Sequence, residues 1–208
     1  MAGCVACAAD PARCARCGKR WVGEEDMRQA ALYAEKHGHK PPADPDVVYG
    51  VRWSTEALCL NGYTFDALNL AFRYTLSVKG NSAAGVQYGA ILAAVLRKAG
   101  RLSASLRVYS TVLGVAPRFL KADALSRLDV GLADTLERLG RQAEAQAVIE
   151  RSLLRDNELA TTAVLLGRLG ALKVGSEGAR ELLDGALSIA EPSTELAKHL
   201  RRLRSSCV

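Results

Sequence analysis

The chain has 208 residues, long enough for one sizeable core or for a small module beside a larger domain. Its 49% hydrophobic and 24% charged residues are ordinary for a globular protein, while aromatics reach only 5%, a balance that favours packed helices over a β-sandwich. The formal charge of +6 is uneven: residues 41–195 hold seventeen bases and seventeen acids, so the body lacks the broad basic face expected of a nucleic-acid-binding domain.

The opening "MAGCVACAAD" has neither a basic n-region nor an apolar run, so it does not read as a signal peptide. No stretch approaches the ~18 uninterrupted apolar residues of a membrane helix. The expectation is a cytoplasmic protein without membrane contact, where paired cysteines signal metal more often than disulfides.

Residues 1–23 contain such pairs: Cys4, Cys7, Cys14 and Cys17 form C-x2-C-x6-C-x2-C. Each C-x-x-C turns the chain tightly enough for both sulfurs to face one point, and four thiolates suit a closed, tetrahedral structural Zn²⁺ site. An iron–sulfur role fits less well, because the spacing matches neither ferredoxin pattern. The "DPARC" and "CARCGKRW" segments resemble the short bacterial zinc-ribbon family. The six-residue spacer is short for a ribbon, and Ala8 stands where the first knuckle usually has Gly.

Residues 24–45 read as a helix and a linker. "EEDMRQAALYAEKH" opens on three acids and closes on cations, as the helix dipole prefers. His37 and His39 read as a helix end rather than as metal ligands, and "GHKPPADPD" marks a domain boundary.

Residues 46–192 are self-similar. Apolar helices end at Gly62, Gly100, Gly140 and Gly175, spaced 38, 40 and 35 residues apart, and a second helix with small residues follows each turn. Such periods indicate stacked helix pairs. Leu125, Leu128, Leu132, Leu136 and Leu139 keep steps of 3, 4, 4 and 3, which puts them on one helix face. Asn81 or Ser82 is placed to cap the helix that follows.

The pattern resembles the tetratricopeptide repeat, most fully over residues 86–117. There Leu92, Ala93 and Leu96 fall on the packing positions of helix A, Ser105, Tyr109 and Val112 on those of helix B, and Pro117 at the closing proline. Leu132, Ala133, Leu136, Ala145 and Ile149 match in the third repeat; Leu58, Gly62, Ala67 and Ala71 match in the first, with Thr55 at a normally small position. Leu166, Gly167, Ala179 and Ala186 match in the fourth.

The resemblance implies an all-α solenoid of antiparallel helix pairs whose helix A faces hold a peptide. By repeat position the face comprises Tyr49, Arg52, Trp53 and Glu56, then Gln87 and Arg97, then Arg127 and Asp134. The first four sit at i, i+3, i+4 and i+7 and share a face in any helix, with the Trp and Arg content of an interaction hot spot. The alternative is that Tyr49 and Trp53 pack against the cysteine module. Members that grip a C-terminal carboxylate use Lys and Asn pairs, and the Asn residues are absent here.

Residues 193–208 read as a basic capping helix, with Ser193 as N-cap and Leu196, Leu200 and Leu203 on one face. No G-x-x-x-x-G-K, G-x-S-x-G or H-E-x-x-H motif occurs, and Cys59 reads as a small apolar residue, so catalysis is not expected. Two readings remain. The first is a protein-interaction scaffold with a structural zinc; the second is a nucleic-acid- or transcription-associated factor using Arg13, Arg16, Lys19, Arg20, Arg201 and Arg202.

Elemental analysis of untagged protein is expected to find one zinc per chain, lost when Cys14 or Cys17 is replaced by Ser. Iron with visible absorbance, or four free thiols and no metal, contradicts the zinc reading.

Overall fold

The computed structural model describes residues 24–37, 39–174, 178–191 and 194–206. Cys4, Cys7, Cys14 and Cys17, and with them the whole zinc-ribbon-like module, lie outside the described residues, as do Gly175 and Ser193. All regular structure among the described residues is helical. The helices are α1 (Glu24–His37), α2 (Pro45–Leu60), α3 (Thr64–Leu76), α4 (Ala83–Lys98), α5 (Leu102–Val115), α6 (Ala122–Arg138), α7 (Gln142–Leu153), α8 (Leu159–Leu172), α9 (Ala179–Ile189) and α10 (Glu195–Ser205). A 3-10 turn, Ala116–Arg118, holds Pro117 after α5.

Helix starts follow local chemistry. The Asp44 carboxylate accepts from the Asp46 N–H at 2.9 Å, and Pro45 occupies the first helical position of α2. Of the two candidates before α4, Ser82 is the cap: its Oγ accepts from the Gly85 N–H at 3.1 Å. For α10 the cap is Thr194. Thr194 has the extended backbone an N-cap needs, and its Oγ1 accepts from the Ala197 N–H at 3.2 Å.

The turns within the pairs are set by glycine. Gly62, Gly100 and Gly140 hold φ of 83°, 75° and 76°, in the left-handed region that L side chains rarely adopt. In each, the N–H of the following residue reaches back five positions: Tyr63 to Leu58, Arg101 to Leu96 and Arg141 to Leu136, at 2.8, 2.9 and 2.9 Å. These are Schellman closures, which satisfy carbonyls the helix end would otherwise strand. In the fourth pair the left-handed glycine is Gly178, at φ 84°, immediately before α9. Among the described residues the left-handed glycines are thus 38, 40 and 38 residues apart.

The chain forms two compact units, residues 1–108 and 109–208, divided within α5. In the first, Val47 and Val51 of α2, Ala67 and Ala71 of α3, and Tyr88, Ile91, Leu92 and Val95 of α4 make the core. Tyr88 is fully buried; its hydroxyl donates to the Pro42 carbonyl at 2.6 Å, and burial pushes its phenol up to about 12. The proline-rich segment before α2 is therefore pinned to α4.

In the second unit Leu132, Ala133 and Leu136 of α6, Ala145 and Ile149 of α7, and Leu165 and Leu169 of α8 are buried. Close approach relies on missing side chains. A Cβ at Gly131 would lie 2.3 Å from the Tyr109 hydroxyl, and one at Gly167 would lie 2.4 Å from Leu200 Cδ2. Leu200 joins Leu183 and Ala186 in one cluster, so α10 covers the end of the last pair, as a capping helix must.

Among the described residues one charged side chain is wholly buried. Asp129 of α6 accepts from Ser152 Oγ at 2.7 Å and from the Arg155 guanidinium at 2.7 Å. Arg155 also donates to Ser126 Oγ at 3.1 Å, and Ser126 donates to Asn157 Oδ1 at 2.8 Å. The network ties the segment after α7 back onto α6. Removing one member of such a buried pair typically costs about 3–5 kcal/mol.

Candidate functional site

The candidate site begins with four residues of α2 on one face: Tyr49, Arg52, Trp53 and Glu56. The other face carries Val47, Val48, Val51, Thr55 and Ala57 into the core, which leaves these four outward. Arg52 and Glu56 are exposed, Tyr49 is 58% exposed and Trp53 is half-buried.

The cover on Trp53 is α1. The Tyr33 ring stands edge-on to both Tyr49 and Trp53, with centroids 5.6 and 6.0 Å away, while Tyr49 and Trp53 are 6.3 Å apart. Edge-to-face pairs at these distances add about 0.5–1.5 kcal/mol each beyond area burial. Among the described residues, then, the packing partner of the two α2 aromatics is α1. Sequence reasoning missed Tyr33, although an aromatic on a polar helix four residues before His37 was the available signal.

A second set of contacts holds α1 in place. His37, the last residue of α1, stacks on Tyr33 with centroids 4.3 Å apart, and its Nδ1 lies 3.4 Å from Asp46 Oδ2. Lys40 donates to the same Asp46 oxygen, and the Tyr33 hydroxyl donates to its other oxygen at 3.5 Å. The Lys40 contact holds the Asp46 carboxyl below its usual range, and the Asp46 hydrogen bond raises the Lys40 ammonium in turn. Between α1, α2 and α3 lies a small cleft of about 80 Å³, lined by Tyr33, His37, Asp46, Val51, Leu70 and Tyr74.

The remaining predicted positions are dispersed. Gln87 is exposed on α4 and Arg97 is half-buried near its end; ten residues apart, they are about 80° out of register on a helix. On α6 Arg127 is exposed, while Asp134 is ion-paired with Arg168 of α8, which also bonds Glu137. Asp134 is thereby engaged within its own unit. Of the eight positions, the structure joins Tyr49 and Trp53 directly and sets Arg52 and Glu56 beside them.

Other candidate chemistry is sparse. His39 is exposed. Cys59 is half-buried against the first core, and burial pushes its thiol up, away from the thiolate form. No group of three or more His, Cys, Asp or Glu side chains gathers as a metal site among the described residues. In the basic tail Arg204 is ion-paired with Asp184 of α9, while Arg13, Arg16, Lys19 and Arg20 lie outside the described residues. Among the described residues no helix is long and apolar enough to cross a membrane.

No protein-family model matches this chain, and no curated protein sequence matches it significantly. Solved structures do share its fold. BtubC (BKLC) from P. vanneervenii superposes with a TM-score of 0.63 at 14% identity, over 88% of this chain and 80% of that one. A protein of Podosopora anserina, described as a kinesin light chain with nearly identical TPR-like repeats, gives 0.57 at 15% identity over 78% and 83%. A variant of the latter gives 0.59 at 15% identity over 78% and 82%. The chain therefore has a TPR-like helical-repeat fold.

Acid should loosen α1. Because the folded state holds Asp46 below its ordinary range, its contribution is complete above the unfolded aspartate pKa and is lost as pH falls through the lowered value. In a Trp21→Phe background, Trp53 fluorescence should change on acidification below about pH 4, and Asp46→Asn should remove that step while already weakening α1 docking at neutral pH. Coincident acid profiles for both chains contradict this account.

Proposed function

We propose that this protein is a non-catalytic interaction scaffold that binds a peptide or protein segment on the outward face of α2. What supports the reading most is the Tyr33–Tyr49–Trp53 cluster: one ring on α1 and two on α2, the first helix of the first pair, with exposed Arg52 and Glu56 as polar flanks. Interfaces concentrate their energy in such places, where a rigid aromatic supplies area and a neighbouring charge fixes orientation. Gln87, exposed on α4 in the same unit, is a further candidate contact.

Cys4, Cys7, Cys14 and Cys17 complete the proposal as ligands of a structural zinc. Their four soft thiolates fit the tetrahedral preference of Zn²⁺ and leave no open position for hydrolysis. A reducing, cytoplasmic setting follows from keeping those thiols available for metal. A nucleic-acid partner is not proposed: the 41–195 body is charge-balanced, and Arg204 of the basic tail is engaged with Asp184.

The test selects peptides from a displayed random library on the full chain and titrates the best by calorimetry. Trp53→Ala should weaken binding roughly ten-fold or more, and Arg52→Ala and Glu56→Ala should each weaken it several-fold. Both flanking residues are exposed, so those two variants keep the fold. Peptides whose affinity ignores all three substitutions overturn the assignment of this face.

A further inference from the structure

Helix α3 carries a surface that the proposed peptide face does not use. Its small residues Ala67 and Ala71 are fully buried in the first core. On the outward side stand Phe65, Phe72 and Leu76, exposed to 63%, 54% and 71%. With ~100° per residue, Phe65, Asn69, Phe72 and Leu76 fall within about 60° of one another and form a single stripe. Two of the three phenylalanines in the chain are thus spent on one solvent-facing helix side. Isolated exposed apolar residues are normal on any protein, whereas a stripe of this composition marks a contact surface.

We infer that this stripe is the interface of a symmetric homodimer, in which α3 pairs antiparallel with α3 of a second copy. The argument is the charge pattern along one edge. Asp66 and Arg73, both exposed, follow Phe65 and Phe72 by one residue each and are seven residues apart, so they sit at equivalent positions two turns apart on the same edge. Among the described residues neither is engaged in an ion pair. In an antiparallel helix pair, like edges face each other. The two-fold axis therefore sets Asp66 opposite the partner copy's basic position and Arg73 opposite its acidic one, twice per dimer. In the same register Phe65 of one copy meets the Phe72 position of the other. A parallel pair would lay this edge against the opposite edge of its partner and lose both charge matches. An isologous interface requires this kind of self-complementarity, whereas a foreign partner does not.

The size of the patch sets the strength. Its three apolar side chains expose on the order of 350 Å² per copy, near the largest patch of a typical monomer and small for a permanent dimer. The expected species is a reversible dimer with micromolar affinity.

Sedimentation equilibrium of the full chain, from about 1 to 300 μM in low salt, tests the proposal across that affinity range. The wild type should pass from monomer to dimer, and Phe72→Glu should dissociate roughly ten-fold or more readily. Asp66→Arg sets like charges opposite each other and should weaken association by a similar factor, and Asp66→Arg combined with Arg73→Asp should restore it. Circular dichroism of each variant should match the wild type, since all three residues are exposed. Restoration in the double exchange is a result that general loss of folding does not produce. A wild type that stays monomeric throughout overturns the proposal, whether its stripe is bare or covered by residues 1–23. So does a dimer that ignores Phe72→Glu, or one that the double exchange fails to recover.

Discussion

The fold depends on the chain reversing within each helix pair, and each of these reversals contains one residue that holds φ near +80°. Gly62, Gly100 and Gly140 do this at the ends of α2, α4 and α6, and Gly178 does it at the start of α9. For an L side chain the left-handed conformation costs roughly 1–2 kcal/mol, which is why glycine recurs there. At the first three the closure is more than a bend. By sending the next N–H five residues back, it satisfies a helix-end carbonyl and fixes the angle at which the second helix leaves. A single helix pair cannot bury its own apolar face, so the repeat of the turn is also the repeat of the core.

Between the turns, packing is governed by small residues placed where helices come closest. Ala67, Ala71, Ala93, Ala133, Ala145 and Ala186 are fully buried, and Gly131 and Gly167 admit Tyr109 and Leu200. A composition rich in Ala and Leu and poor in aromatics is the sequence-level trace of this packing. The few aromatics are consequently available for other uses. Tyr88 anchors the segment before α2, Tyr33, Tyr49 and Trp53 form the half-exposed cluster, and Phe65 and Phe72 face outward.

Much of this was legible beforehand, and the reasons are physical. The 3.6-residue period of leucines in α6 and the Gly-centred turns are local signals, each carried by a few adjacent residues. The exceptions depend on distance in sequence. Tyr33 finds Tyr49 and Trp53 from 16 and 20 positions away, which no periodicity records. Asp129 is enclosed by Ser152 of α7 and by Arg155 just after it, 23 and 26 positions away. Gly178, which holds positive φ before α9, was not singled out in the sequence, and Gly175 lies outside the described residues. At α10 the hydroxyl of Thr194 reaches the third helical N–H. Of the proposed binding face, the α2 quartet was legible as one helix side, whereas the ion pair that occupies Asp134 was not.

The most direct test of the central claim compares three semisynthetic chains carrying Gly, L-Ala or D-Ala at position 140. An L-Cβ there meets nothing within 4 Å, so any loss comes from the backbone alone. Urea unfolding should place L-Ala about 1 kcal/mol below the wild type. D-Ala, for which positive φ is the favoured region, should match or exceed the wild type. If L-Ala is as stable as Gly, or D-Ala is as damaging as L-Ala, the left-handed turn does not hold the fold together as described.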